Sequence, residues 1–315
     1  MLGAFDHIGD SVEENDENYN AISETYGVTP ALYNTYYSFS NGTFNYSTAN
    51  SRIAEHYTSG AFCMVHTQNS WGKYLIDKYG VEQTDFLLNL DATNTDRNTD
   101  VYNEYLNYRK QWADALESLK TLGVTVIYRP FVEMTNPYHM DCYTNTEEGY
   151  AAFKRIWQQL YSYMVDERGL DNIVWCFAPQ AAGGAEKGLK YYPGNDYVDI
   201  IGLTLYSTGN TNDSYNIQKE LELWDYSDYY ILGKPIGFSE LGVQARYDSQ
   251  TGEVTEPGDF SNLLYHLKNA FKGKISFCSL WSESQGLFGE NNVNQEEFIK
   301  DEFFVSLEEL LEYKA

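Results

Sequence analysis

The stretch VIYRPFVEMTN, residues 126–136, begins as a run of β-branched and aromatic residues and ends in charge. Val126, Ile127 and Tyr128 have the composition of a buried strand. Side chains alternate faces along a strand, so a strand running through Glu133 puts Arg129, Phe131 and Glu133 on one face. A guanidinium and a carboxylate are costly to bury at the end of an apolar strand. They are kept there either as a structural ion pair or as a functional site, and this strand alone leaves both readings open. A second stretch, KPIGFSELG at residues 234–242, is also a strand and also delivers a glutamate, Glu240, at its C-terminal end. Two strands that each present a carboxylate suggest a paired-carboxylate site.

Outward from these two, strand patterns alternate with helix patterns. Strands are expected at 2–5, 31–39, 61–66, 124–133, 172–178, 198–206, 235–240 and 274–281. Helices are expected near 12–26, 48–57, 72–79, 102–122, 146–168, 215–230, 260–271 and 295–313. The clearest helix carries Tyr150, Phe153, Ile156, Trp157, Leu160, Tyr161, Met164 and Val165 at helical spacing and stops at Gly169. Another puts Tyr105, Trp112, Leu116 and Leu119 on one face and stops at Gly123. No repeat of 20 to 50 residues and no Pro/Ser/Gly-rich linker divides the chain, so residues 1–315 are read as one domain. Eight strands alternating with helices in 315 residues is the arithmetic of an α/β fold of the (β/α)8 TIM-barrel type. The competing doubly wound sheet would carry a Gly-rich phosphate loop after its first strand, and none is present.

In such a barrel the chemistry sits where the strands end. The endings here are His66, Glu133, Tyr206, Glu240 and Trp281. Hydrolysis of a glycosidic bond needs a protonated acid at the leaving oxygen and a second carboxylate across the ring, which Glu133 and Glu240 supply. In a double displacement the pKa of Glu133 is expected to be raised while Glu240 is charged. Arg129 lies one layer below Glu133, where it can orient Glu240. Tyr206 can donate to the same carboxylate, Trp281 offers a flat face for a sugar, and His66 can bond sugar hydroxyls. Glu283, in the loop-like WSES just past Trp281, is a weaker candidate carboxylate. The segment DATNTDRNTD, residues 91–100, lacks the central Gly and final Glu of a calcium loop and reads as a solvated turn. The chain's five histidines form no HxH or HExxH pair and no GxSxG elbow is present, so neither a metal nor a cofactor is expected.

The formal charge of −25 argues against nucleic acid, anionic membranes and acidic polysaccharides and fits a neutral partner better, although keeping the protein soluble explains most of the acidity. No stretch nears the ~20 apolar residues of a membrane span. Cys63, Cys142, Cys176 and Cys278 form no CxxC pair and are read as buried free thiols.

These residues resemble glycoside hydrolase family 26. The likeness is carried by RPFVEM at 129–134, YYPGNDYVDIIGLTLY at 191–206, KPIGFSELG at 234–242 and the tryptophan ending the eighth strand. The long YYPGNDYVD segment is the most specific part. The resemblance implies a retaining (β/α)8 glycosidase with Glu133 as acid/base and Glu240 as nucleophile. Arg129, Tyr206, Trp281 and His66 would surround the reacting sugar, and Tyr138 would be a cleft aromatic. It implies an endo-β-1,4-mannanase first, with a mixed-linkage β-glucanase or β-1,3-xylanase as alternatives on the same machinery. A non-catalytic sugar-binding barrel is the reading from another class. Secretion, as a mature or trimmed form, and a monomeric state are expected. The sequence departs from the family where a histidine usually precedes the acid/base, here Val132, and where Asn-Gly usually follows Glu-Met, here Thr135-Asn136. Both departures bear on substrate identity more than on reaction type.

Overall fold

The structure, a computed structural model, describes residues 1–7, 18–208, 221 and 225–314. Eight strands form its centre: β1 (Leu2–Phe5), β2 (Leu32–Ser40), β3 (Phe62–Thr67), β4 (Val126–Arg129), β5 (Ile173–Phe177), β6 (Ile200–Thr208), β7 (Ile236–Gln244) and β8 (Cys278–Leu280). Each is parallel to the next, and β8 returns to β1, so the sheet closes into the expected (β/α)8 barrel. Around it lie α1 (Asn18–Tyr26), α2 (Ser47–Thr58), α3 (Ser70–Tyr79), α4 (Thr99–Thr121), α5 (Glu147–Ser162), α6 (Phe260–Phe271) and α7 (Leu307–Lys314), with shorter helical turns between.

Local chemistry sets the long helices. The Asn98 side chain accepts from the backbone N–H groups of Asp100 and Val101 at 3.0 and 3.3 Å and starts α4. The Thr146 hydroxyl accepts from Gly149 N–H at 3.0 Å and starts α5. Both bury the faces their periodicity marks out: Tyr105, Trp112, Leu116 and Leu119 on α4, and Phe153, Ile156, Trp157 and Leu160 on α5. The second helix closes in a wider π turn, Tyr163–Glu167, rather than running regularly to Arg168.

Two apolar layers result. The larger lies between sheet and helices. The smaller fills the barrel floor with Leu32, Met64, Ile127, Cys176 and Phe277. Gly237 makes room there, because a Cβ on it would sit 2.4 Å from the Phe277 ring. The four cysteines are buried and unpaired, and burial pushes the thiols of Cys63, Cys176 and Cys278 up to about 12.

Several expectations need correction. The C-terminal helix expected over 295–313 is two pieces, Gln295–Ile299 and α7. No Gly or Pro marks the break. The intervening segment runs beneath the barrel, where Val305 C=O accepts from Leu2 N–H at 3.1 Å and Asp301 pairs with Lys268 of α6 at 2.8 Å. These tertiary bonds outcompete continued helix. Asp91 does not lie in a solvated turn. It is fully buried and accepts from Arg155 and Gln159 of α5, which ties its loop to that helix. Parts of the helices expected near 12–26 and 215–230 lie outside the described residues.

Candidate active site

Parallel register places Tyr36 of β2, His66 of β3 and Arg129 of β4 side by side at one level of the barrel mouth. β4 ends there. Pro130 supplies no N–H, and regular alternation stops with it. Phe131 turns outward and packs on Trp112 of α4 and on Phe153 and Trp157 of α5. The shared face expected for Arg129, Phe131 and Glu133 is therefore not formed. Val132 bridges to Ala178, beyond the end of β5, and Glu133 adopts a left-handed backbone with φ +51°. That conformation is unfavourable for a residue with a Cβ. Glu133 N–H donates to Ala178 C=O at 2.7 Å, which helps hold it, and the side chain is thereby aimed into the mouth.

Glu240 reaches the same space by a different device. Against β6, Leu203 pairs with Phe238 but Thr204 pairs with Glu240, so β7 carries one extra residue at Ser239. The same slip appears against β8. This bulge changes which side chains face inward. Phe238 packs outward on Phe271 of α6, and the Ser239 hydroxyl donates inward to Gly202 C=O at 2.8 Å. Glu240 then also faces inward, where strict alternation would have placed it beside Phe238. Its Oε1 accepts from Arg129 Nη2 and its Oε2 accepts from the Tyr206 hydroxyl at 2.7 Å. Arg129 is fully buried and Glu240 is 5% exposed. Burial, then the neighbouring carboxylates Glu240 and Glu133, raise the Tyr206 pKa well above 10, so the hydroxyl keeps its proton and donates.

The two carboxylates open onto one cavity of about 360 Å³ at the C-terminal ends of the strands, lined also by His66, Val132, Tyr206, Trp281 and His139. Trp281 stacks on Phe5, with ring centroids 4.0 Å apart, and meets Tyr206 edge-on. Burial, together with Arg129 and His139, holds the His66 pKa well below 6.5 and its ring neutral. Of the residues expected at the site, Glu133, Glu240, Arg129, His66, Tyr206 and Trp281 are brought together. Tyr138 is not. It is 83% exposed on the loop after Glu133 and does not line the cavity. Glu283 sits on the turn Glu283–Gln285 after β8, and its side chain is outside the described residues.

The residue that sequence reasoning missed is His139. Its Nε2 lies 3.0 Å from Glu133 Oε2, while its Nδ1 is 3.1 Å from the side-chain amide of Asn69, just before α3. Glu133 also accepts from Thr204 at 2.7 Å and from Asn136 at 2.8 Å. Burial alone would push the Glu133 carboxyl up. The bond and charge of His139, with the donors Thr204 and Asn136, outweigh it, and the net direction is down. Burial pushes His139 down in turn, but Glu133 outweighs it and the imidazole is raised. The elevated Glu133 pKa expected from its role is thus not the state of the free protein, because three donors converge on the carboxylate.

The loop bearing His139 is docked closely. A Cβ on Gly72 of α3 would fall 2.4 Å from the Asp141 Cα, so only glycine admits the loop there. His139, Asp141 and Cys142 bring donor atoms within 4.8 Å of one another, the spacing of a metal site. Their atoms are committed elsewhere: both His139 nitrogens are bonded and the Cys142 thiol donates to Val132 C=O at 3.4 Å. Asp141 is 1% exposed, and burial raises its carboxyl to about 6. A raised carboxyl stabilises the fold below the unfolded pKa of about 4, and that contribution is lost as pH climbs through 6. Asp141→Asn should therefore raise the stability at pH 7.5 by up to about 3 kcal/mol and leave it nearly unchanged at pH 4. Thermal melts at the two pH values measure this, and equal shifts at both would contradict the burial argument.

The family model for glycosyl hydrolase family 26 matches residues 2–223, from β1 to just beyond β6. The chain belongs to glycosyl hydrolase family 26. The match stops short of Glu240 and Trp281, whose placement is seen in the structure alone. Curated relatives of this family 26 chain include a mannan endo-1,4-beta-mannosidase of Bacillus subtilis (strain 168), 30% identical over 175 residues, covering 54% of this chain and 42% of the relative. A second, from Bacillus subtilis, is 35% identical over 141 residues, covering 44% and 36%. The chain thus spans less than half the length of these relatives. Among solved structures, a Bacillus subtilis mannanase superposes with a TM-score of 0.70 at 20% identity, covering 97% of this chain and 86% of that one. A beta-mannanase from a symbiotic protist of the termite Reticulitermes speratus gives 0.68 at 19% identity, covering 98% and 89%. These likenesses establish the barrel.

Proposed function

We propose that the chain is a retaining endo-β-1,4-mannanase, secreted and acting as a monomer on a neutral polysaccharide. The observation that carries the reading is the setting of Glu240. Its two oxygens are fixed by Arg129 and Tyr206, and Glu133 opens onto the same cavity. In this scheme Glu240 attacks the anomeric carbon while Glu133 protonates the leaving oxygen. Water then enters, gives its proton to Glu133, and frees Glu240 from the glycosyl ester. Arg129 and Tyr206 fix Glu240 for attack, and Trp281 supports the sugar ring. The names of the mannosidase relatives support mannan as substrate.

Val132 gives a reason to test that substrate, since an apolar side chain lines the cavity directly before Glu133. Reducing-sugar release should be measured on galactomannan, glucomannan, mixed-linkage β-glucan, β-1,3-xylan and β-1,4-xylan. Release from both mannans is expected. Release from a glucan or xylan alone would replace the substrate and keep the mechanism. Silence on all five would favour a sugar-binding barrel.

A further inference from the structure

We infer that His139 is the proton reservoir of the acid/base: in the free protein it holds the proton that Glu133 delivers to the leaving oxygen. This rests on the glycosidase reading above and deepens it. A general acid must be protonated when substrate binds. Glu133 is set up against this, with Thr204 donating to Oε1, Asn136 and His139 both bonded at Oε2, and only 6% of the residue exposed. An acceptor-only carboxylate is what such a donor set favours. The proton the reaction needs must then be stored within reach. Among the described residues the imidazole at 3.0 Å is the titratable group bonded to this carboxylate.

Other charged groups facing His139 act in the same sense or are balanced. Asp141 on its own loop and Glu240 from β7 favour the imidazolium. Arg129 is paired with Glu240, and His66 of β3 is neutral. The amide of Asn69 can turn either its oxygen or its nitrogen to Nδ1, so it accommodates both the cationic and the neutral ring. Gly72 and the Asp141 backbone hold the loop in place.

The proton balance is complete. As Glu240 attacks, the proton passes from His139 Nε2 to Glu133, whose O–H turns to the glycosidic oxygen. The C1–O bond breaks with its electron pair and that oxygen takes the proton. His139 is left neutral and Glu133 ionised. In the second half Glu133 removes a proton from water, the hydroxide bonds to C1, and the ester electron pair returns to Glu240. The proton gained by Glu133 relaxes back to His139. His139 acts through Glu133, to which its Nε2 is bonded at 3.0 Å, so it is a positioning residue.

His139→Gln keeps an N–H near Nε2 and cannot store a proton. In the wild type the basic limb of kcat/KM reports loss of the last proton from the pair. In the variant it reports Glu133 alone, so it should move to lower pH by about one unit or more while the acid limb stays. Manno-oligosaccharide cleavage at pH 7 should fall by about tenfold, and an aryl mannoside with a good leaving group should be affected little. An unchanged basic limb would overturn the inference. Glu133→Ala separates the underlying reading. If it shows no dependence on leaving group, the glycosidase assignment fails; if it does and the His139→Gln profile matches wild type, the reservoir alone fails. Imidazole ¹⁵N NMR needs neither turnover nor a folded His139 variant. His139 should titrate above 6.5 in the wild type and fall in Glu133→Gln, and a neutral ring throughout pH 5 to 8 would refute the stored proton.

Discussion

Glu240→Ala is expected to abolish turnover, with kcat falling by roughly 10⁴-fold or more, as removal of a covalent nucleophile does. Oligosaccharide affinity should change by only a few-fold, because the other residues lining the cavity remain. The same substitution also has a structural consequence. It strips the fully buried Arg129 of the carboxylate it donates to. An uncompensated buried guanidinium costs several kcal/mol, so the variant should melt below wild type. Glu240→Gln keeps the shape and an acceptor, and should lose turnover with a smaller loss of stability. Steady-state kinetics, isothermal titration with manno-oligosaccharides and thermal melts distinguish the three effects. Turnover above about 1% of wild type in either variant would remove Glu240 as nucleophile.

Arg129→Leu should combine the second-largest loss of activity with the largest loss of stability. Breaking a buried ion pair from one side costs about 3–5 kcal/mol, since the remaining charge is left in an apolar setting. Here that charge is Glu240, 5% exposed and still bonded to Tyr206. Misplacement of the nucleophile should lower kcat by about 10²-fold. Arg129→Lys keeps the charge but not the planar fork, and is expected to recover little activity. The double variant Arg129→Leu, Glu240→Leu carries no unpaired charge. It should recover most of the lost stability and none of the turnover. Urea denaturation of wild type, Arg129→Leu, Glu240→Leu and the double variant completes the cycle. A single variant as stable and active as wild type would mean that the pair neither holds the barrel mouth nor orients the nucleophile.

Period and composition were sufficient for the barrel and for most of its elements. Alternating strand and helix patterns survive because each element buries one face, and burial is written in the spacing of residues such as Phe153, Ile156, Trp157 and Leu160. The chemical types at the strand ends were equally legible, since a carboxylate or guanidinium at the end of an apolar run is costly whatever the fold. Direction was not legible. Strict alternation carried past Arg129 put Phe131 inside the barrel, and along β7 it would have put Glu240 outside with Phe238. The break after Pro130, the left-handed backbone of Glu133 and the bulge at Ser239 reverse those faces. The break is local to Pro130, but the Glu133 conformation and the bulge depend on pairing with neighbouring strands. His139 was hidden for the same reason: six residues beyond Glu133 on a loop, it has no periodic signal. The sequence by itself determined which side chains would be costly and what they could do together. The tertiary structure decided which way they point and that an imidazole sits 3.0 Å from the Glu133 carboxylate, because backbone register, loop docking and burial exist only once distant segments meet.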